Sequence, residues 1–196
     1  MLEVKRVLPV ILILSLLFLL VSCVSGPADG KGTEVVTGNE KPAPDSDTGK
    51  AVFGTRQNPV PSGTEVKVGD NWHITILEVT PDAWPIIKKT NQFNDPPENG
   101  HQFVMASVRV SYVGEESGTP WVDLSLKYLG SDGNTYSSDC GVLPKPFYDI
   151  GEQFPGASAE GQVGWSVPSE AIDGGAIIIE ESFSFDNTRV FFEGAR

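Results

Sequence analysis

From Gln102 to Tyr112 the chain alternates apolar and polar side chains, and this pattern restricts its fold more than any other. Val104, Ala106, Val108, Val110 and Tyr112 fall in one register, and Ser107, Arg109 and Ser111 in the other. Successive side chains of a strand point to opposite faces, so a period of two makes one face a core face and the other a polar one. The stretch WVDLSLKYL, residues 121–129, alternates likewise, with Val122, Leu124, Leu126 and Tyr128 set against Asp123, Ser125 and Lys127. Asp132 and Gly133 supply a turn, so Trp121 to Leu129 and Thr135 to Ser138 read as the two arms of a hairpin. TEVKV, NWHITILEV, AEGQVGWSVP, AIIIEESF and TRVFFE are further strands, each bounded by Gly, Pro, Asn or Asp. In NWHITILEV the set Trp72, Ile74, Ile76 gives way to Leu77 and Val79, a phase shift that predicts a β-bulge. Helical periodicity is not convincing anywhere, and no fixed repeat is visible. The predicted fold class is all-β: an antiparallel immunoglobulin-like β-sandwich of about seven to eight strands.

A signal peptide and a disordered linker precede that sandwich. Lys5 and Arg6 come first, then an apolar run from Val10 to Leu14 and from Leu16 to Val21, then Ser22 and Cys23. A spanning helix needs about 20 apolar residues, and this run is shorter, carries Pro9 near its start and leads into a polar Gly/Pro-rich segment. The layout is that of a cleaved secretory signal. Residues 24–55 are rich in Gly, Pro, Asp, Thr, Ser and Lys with isolated valines, too polar to build a core. About 30 flexible residues span roughly 30 Å, enough to hold a folded unit off a membrane. The predicted organisation is residues 1–22 as signal peptide, 23–55 as flexible tether and 56–196 as one sandwich domain.

Leu20, Val21, Ser22 and Cys23 resemble the lipobox of bacterial lipoproteins. That resemblance implies a diacylglyceryl group on the Cys23 thiol and cleavage directly ahead of it. Each buried methylene is worth about 0.8 kcal/mol and two chains anchor stably, so a membrane partner held through N-terminal lipid is expected, with the protein on the extracytoplasmic side. Net charge is -12, and removal of Glu3, Lys5 and Arg6, together +1, makes it -13. Nucleic acid is a poor partner for such a charge, and anionic headgroups would repel it. With Cys23 lipidated, Cys140 is the one remaining cysteine, so no disulfide is expected and Cys140 reads as a small buried residue beside Val142 and Leu143.

A second resemblance covers the chain from about Asn58 onward. NPVPSGTEVKVGDNWHITILEV, FNDPPENGHQFVMASVRVSYVG, SDGNTY and PGASAEGQVGWSVP together resemble the telokin-like, immunoglobulin-fold extracellular domains of many bacterial lipoproteins and secreted proteins. The resemblance implies an antiparallel sandwich and brings no activity, cofactor or catalytic residue.

Candidate chemistry is sparse. In DSDTGK, Asp45 and Asp47 have calcium-loop spacing, but the glycine comes one place early and Arg56 stands where a bidentate Glu would close the loop. Asp132, Asn134 and Asp139 carry oxygen ligands, yet Asp-Gly between strands is first a turn, and calcium at the acidic loops stays open. His73 and His101 are the only histidines; no spacing joins them into a zinc set, and both are expected to face solvent. No nucleophile elbow, His-Glu-x-x-His, P-loop or Cys-x-x-Cys occurs, so no metal, cofactor or catalytic residue is assigned and the chain reads as non-enzymatic.

The segment 80–100, TPDAWPIIKKTNQFNDPPENG, is too long for a hairpin loop. Two readings stand. In one it is a partner-binding loop with Trp84 and Phe93 as aromatic anchors and Lys88 and Lys89 at the rim. In the other its apolar side chains cap one end of the sandwich. The function expected is a lipid-anchored, non-enzymatic binding or structural module of the cell envelope with a protein or glycan partner. The alternatives are a glycan-binding module stacking sugars on an exposed Trp84 or Trp121, and an envelope hydrolase with an unrecognised triad.

Overall fold

The computed structural model describes residues 53–184 and 188–196. Cys23, the signal peptide, the DSDTGK stretch and most of the tether lie outside the described residues.

Eight strands form two four-stranded antiparallel sheets. The first sheet holds β1 (Glu65–Val68), β2 (Trp72–Thr80), β3 (His101–Tyr112) and β6 (Ser158–Pro168), in the order β1-β2-β3-β6. The second holds β4 (Leu124–Leu129), β5 (Thr135–Ser137), β7 (Ala176–Glu181) and β8 (Arg189–Glu193), in the order β5-β4-β7-β8. Strands β3 and β6 take the places of B and E in the immunoglobulin scheme. Strands β4, β7 and β8 take those of C, F and G, with β5 as C′. The all-β sandwich is therefore set by strand pairing.

The core lies between the sheets along the alternation read from the sequence. Val104, Ala106, Val108, Val110 and Tyr112 of β3 are all buried, as are Trp72, Ile74 and Ile76 of β2. The register between β2 and β3 shifts between Ile76 and Glu78, a bulge at the place where the apolar phase changes. Trp165 of β6 and Tyr128 of β4 face each other across the core with ring centroids 5.8 Å apart. The Tyr128 hydroxyl donates to the Ile172 carbonyl at 2.7 Å, tying β4 to the β6–β7 connection. Burial, reinforced by the charge of Asp173, pushes the Tyr128 phenol up from its ordinary value of 10.0.

Three local expectations are corrected. Residues 121–123 are not strand: Pro120–Asp123 is one helical turn, α2, and β4 begins at Leu124. Pro120 sits in the first turn, where its missing N–H costs nothing. The Asp123 carboxylate accepts from the Thr119 N–H at 3.0 Å and the Trp72 indole N–H at 3.2 Å, which bolts the turn to the core. Val122 consequently points outward instead of joining Leu124. Second, residues 80–100 contain a short helix, α1 (Trp84–Thr90), with Pro in its first turn and Ile87 as its one buried residue. It lies against the outer face of the first sheet, where Phe103 and Met105 of β3 form a second small core with Ala83, Ile87, Cys140 and Leu143. Third, neither histidine is freely solvated. His73 Nδ1 lies 3.3 Å from Glu65 Oε1, and His101 Nδ1 lies 3.1 Å from Ser166 Oγ.

Candidate functional site

The sandwich is open along one seam, between β4 and β5 of one sheet and β6 of the other. Three pieces of chain build this side. The α2 turn places Trp121 at the surface, 52 % exposed. The hairpin β4–β5 turns at Asp132, whose carboxylate accepts from the Asn134 N–H at 3.0 Å and the Tyr136 hydroxyl at 2.7 Å. Those bonds, the Tyr136 one foremost, hold the Asp132 carboxyl below its ordinary value of 3.8. The third piece is the connection from β5 to β6, which runs along β6. The Asp139 N–H donates to the Gly164 carbonyl at 3.1 Å, the Gln162 N–H to Lys145 at 2.7 Å, and the Lys145 N–H to Gln162 Oε1 at 3.0 Å. A 3-10 turn at Phe147–Asp149 then sends Phe147 inward and leaves Tyr148 57 % exposed.

Between these pieces lies a cavity of about 470 Å³. Leu124, Leu126 and Val163 line it from the strands, Leu143 and Phe147 from the connection, and Trp121 and Tyr148 are its exposed aromatics. Asp139 carries the only formal charge in the lining. Gly164 makes room for the Cys140 side chain: a Cβ there would overlap the Cys140 sulfur. Cys140 is free and buried, and burial, with the nearby Asp139 charge adding, pushes its thiol up to about 12. It is a protonated packing residue at neutral pH, with no thiolate to act as nucleophile or metal ligand.

A second depression, a trench of about 700 Å³, opens on the other side of Cys140. The 93–98 loop, Ser166 and the edge of β5 line it. His101 and Ser166 meet here as a diagonal contact between β3 and β6, with Glu98 and Asp139 in the same trench wall. Neither carboxylate bonds to His101 among the described residues, and Ser166 lies in a regular strand, so the pair lacks the oriented third member of a catalytic triad.

The residues proposed for a binding loop are separated by the fold. Trp84 is half-buried on α1, its ring 6.1 Å from that of Phe103, with the Lys88 ammonium 6.0 Å from its centroid. Lys88 and Lys89 are exposed in the last turn of α1. Phe93, three residues past the helix, is 82 % exposed and belongs to the trench. Tyr148 has no counterpart in the sequence reading: it stands in a stretch between two prolines and Gly151 with no periodicity to mark it. No group of three or more His, Cys, Asp or Glu could hold a metal ion among the described residues.

The strand pairing and this seam define an antiparallel, immunoglobulin-like β-sandwich with an aromatic-flanked cavity on one side. The chain matches no protein-family model, and no curated protein matches it in sequence. Among solved structures it is similar to the secreted protein MPT63 of Mycobacterium tuberculosis, at 14 % identity and a TM-score of 0.46, over 69 % of this chain and 97 % of that one. An uncharacterized β-sandwich protein of Clostridium difficile aligns at 13 % identity and a TM-score of 0.41, over 79 % of this chain and 100 % of the other. The lipoprotein candidate ycdA of Bacillus subtilis aligns at 15 % identity and a TM-score of 0.46, over 65 % of this chain and 37 % of its own. The fold rests on the pairing of this chain's own strands and not on these likenesses.

Proposed function

We propose that the protein is a lipid-anchored, extracytoplasmic, non-enzymatic binding module of the bacterial cell envelope, and that the cavity beside Trp121 and Tyr148 is its ligand site. The cavity carries the proposal: a concave, mostly apolar space of about 470 Å³ with few polar groups has the size and lining of a small-molecule site. Its lining supplies one carboxylate and a thiol held protonated, so it can hold a molecule but offers no activated nucleophile. Cys23 supplies the anchor in this reading, and the tether gives the sandwich reach.

A second reading follows from the rings themselves. Trp121 and Tyr148 are exposed flat surfaces of the kind that stack on sugars, which supports a glycan ligand; Trp84, packed on Phe103, does not offer its ring in this way. One titration tests both. Tryptophan fluorescence is followed while N-phenyl-1-naphthylamine, as an apolar probe, or chitotetraose, as a glycan, is added to wild type and to Trp121→Ala. Saturable binding of either probe that disappears in the variant supports the site and chooses between the readings. Binding of neither, or binding unchanged in Trp121→Ala, rejects the cavity. The anchor has its own test: Cys23→Ala releases the protein from the membrane fraction, and retention would reject lipidation.

A further inference from the structure

We infer that the end of the sandwich carrying Trp121, Phe154 and Phe183 docks on the lipid surface to which the chain is anchored, with those three rings entering the headgroup region. The inference rests on the lipid anchor proposed above and goes beyond the cavity: neither Phe154 nor Phe183 lines a depression.

Four stretches of connecting chain meet at this end, residues 69–71, 113–123, 151–157 and 182–188, because β1, β3 and β7 finish here and β4, β6 and β8 begin. The Asp70 N–H on Glu181 and the Trp72 indole on Asp123 join the two sheets at this level. Three of the stretches expose one large ring each: Trp121 is 52 % exposed, Phe154 60 % and Phe183 79 %. Val113 and Val122 are exposed in the same stretches. Hydrogen bonds lace the three into one surface. Gly118 and Gln153 pair through both backbone groups, at 2.9 and 2.7 Å, which sets the Phe154 segment against the loop leading into α2. The Ser182 N–H donates to the Asp123 carbonyl at 2.8 Å, which sets the Phe183 segment against the other end of α2. Rings on backbone held this way are buried at a small ordering cost. The connections 130–134 and 169–175, at the far end of the sandwich, expose no large apolar side chain. Exposed aromatic side chains gathered on one surface mark an interaction site, and Trp and Phe are side chains that settle at a membrane interface.

The point where the chain joins the sandwich favours a lipid surface as the occupant. Residues 54–60 bond to β8 in parallel: the Phe191 N–H donates to the Gly54 carbonyl at 3.0 Å, and Val60 bridges Phe192. Chain that runs parallel to β8 comes in from the side where β8 starts, which is the side of Phe183. The chain from Cys23 therefore reaches the sandwich on the half that carries the rings. About 30 residues separate Cys23 from Phe53, a length whose root-mean-square span is roughly 30 Å. A link of that length keeps the end near the bilayer at an effective concentration on the order of millimolar, where weak docking suffices. Charge selects the headgroup. Glu115, Glu116 and Glu152 lie in the same stretches, and no described residue of the four is Lys or Arg, so zwitterionic lipid suits this end and anionic lipid opposes it.

The test uses the lipidated protein reconstituted in phosphatidylcholine vesicles, with and without bromine on the acyl chains near their carbonyl ends. Flotation reports the anchor, and quenching of tryptophan emission by bromine reports the docking. Trp72 and Trp165 are buried and Trp84 packs on Phe103, so a quenched signal belongs to Trp121. Quenching is expected in wild type and is lost in Trp121→Phe. Combining Phe154→Ser with Phe183→Ser removes most of it while the protein still floats, and replacing part of the lipid by phosphatidylglycerol weakens it. Circular dichroism checks the fold of each variant. Protein that floats without quenching, or quenching unchanged by the two serine substitutions, overturns the docking and leaves the rings to a protein partner. Protein that does not float rejects the anchor instead. The same vesicles, titrated to millimolar lipid onto the unlipidated mature chain, then decide the docking, and absence of quenching there overturns it.

Discussion

The two seams of the sandwich are finished differently. On one side, residues 54–60 lie along β8: the Val60 N–H donates to Phe191 at 2.8 Å, the Glu193 N–H to Val60 at 2.9 Å and the Phe191 N–H to Gly54 at 3.0 Å. The chain then crosses to the first sheet, where the Gly63 N–H reaches the Ile76 carbonyl at 2.8 Å. Backbone groups at that edge are paired, and Val60, Val190 and Phe192 fill the space beneath. On the other side, β5 is three residues long and meets β6 through one isolated bridge. Both large depressions and three of the most exposed aromatic residues lie on this open seam. Where the 54–60 strap lies along β8, buried side chains fill the space beneath it; where the β5–β6 connection lies along β6, concave surface remains beside it.

The contrast predicts a gradient of stability effects from the closed seam to the open one. Phe192→Ala should be the most damaging change, because Phe192 is fully buried under the 54–60 strap in the main core with Val60 and Val190. A loss of about 3–5 kcal/mol is expected in urea unfolding. A loss below about 1 kcal/mol would mean that the closed seam is no better packed than the open one.

Gly164→Ala comes next and acts within the open seam, beside Cys140 between the two depressions. The added methyl overlaps the Cys140 sulfur, so overpacking should cost about 1–3 kcal/mol. Adding Cys140→Ala should restore most of that loss, since it removes the overlapping atom, and the two changes should be strongly non-additive. Additive losses would show that Cys140 is not what Gly164 makes room for.

Most of the closed half could be read from the sequence, and little of the open half. The alternation in β3 placed five side chains in the core, and the phase change after Ile76 located the bulge, because both are local consequences of a period of two. The same alternation continues formally through Trp121 and Val122, yet Pro120 and the Asp123 carboxylate turn those residues into α2. The Thr-Pro-x-x-Asp order was there to be read, but a perfect period hid it. Helix α1 has one buried residue, too few to show as periodicity. The cavity is beyond local reading altogether: Trp121, Tyr148 and Val163 come together through long connections, and only Trp121 stood out beforehand. Phe93 and Trp84 were read as one loop, and their separation by α1 was not foreseeable from spacing.

Tyr128 offers a test that depends on pH. Tyr128→Phe leaves the Ile172 carbonyl without its donor and should cost about 1–2 kcal/mol. Its phenol is raised in the folded protein, so the protonated form is the one that folding favours. That contribution is fully present below the ordinary value of 10.0 and is lost as pH rises through the raised value. Wild type should therefore lose stability above pH 10 more steeply than Tyr128→Phe, and parallel curves would mean that some other group governs alkaline unfolding.

The smallest stability effect is expected from the largest exposed ring of the open seam. Trp121 is half-exposed on a turn held by Pro120 and Asp123, neither of which needs the indole, so Trp121→Ala should change stability by no more than about 0.5 kcal/mol. The comparison with Phe192→Ala is then sharpest: two large aromatic residues of one sandwich, one holding the fold and one free of it. A large surface indole that stability does not require is available for binding. If Trp121→Ala instead destabilises as a core residue does, the indole is closing the cavity, and the open seam is a packing feature and not a site.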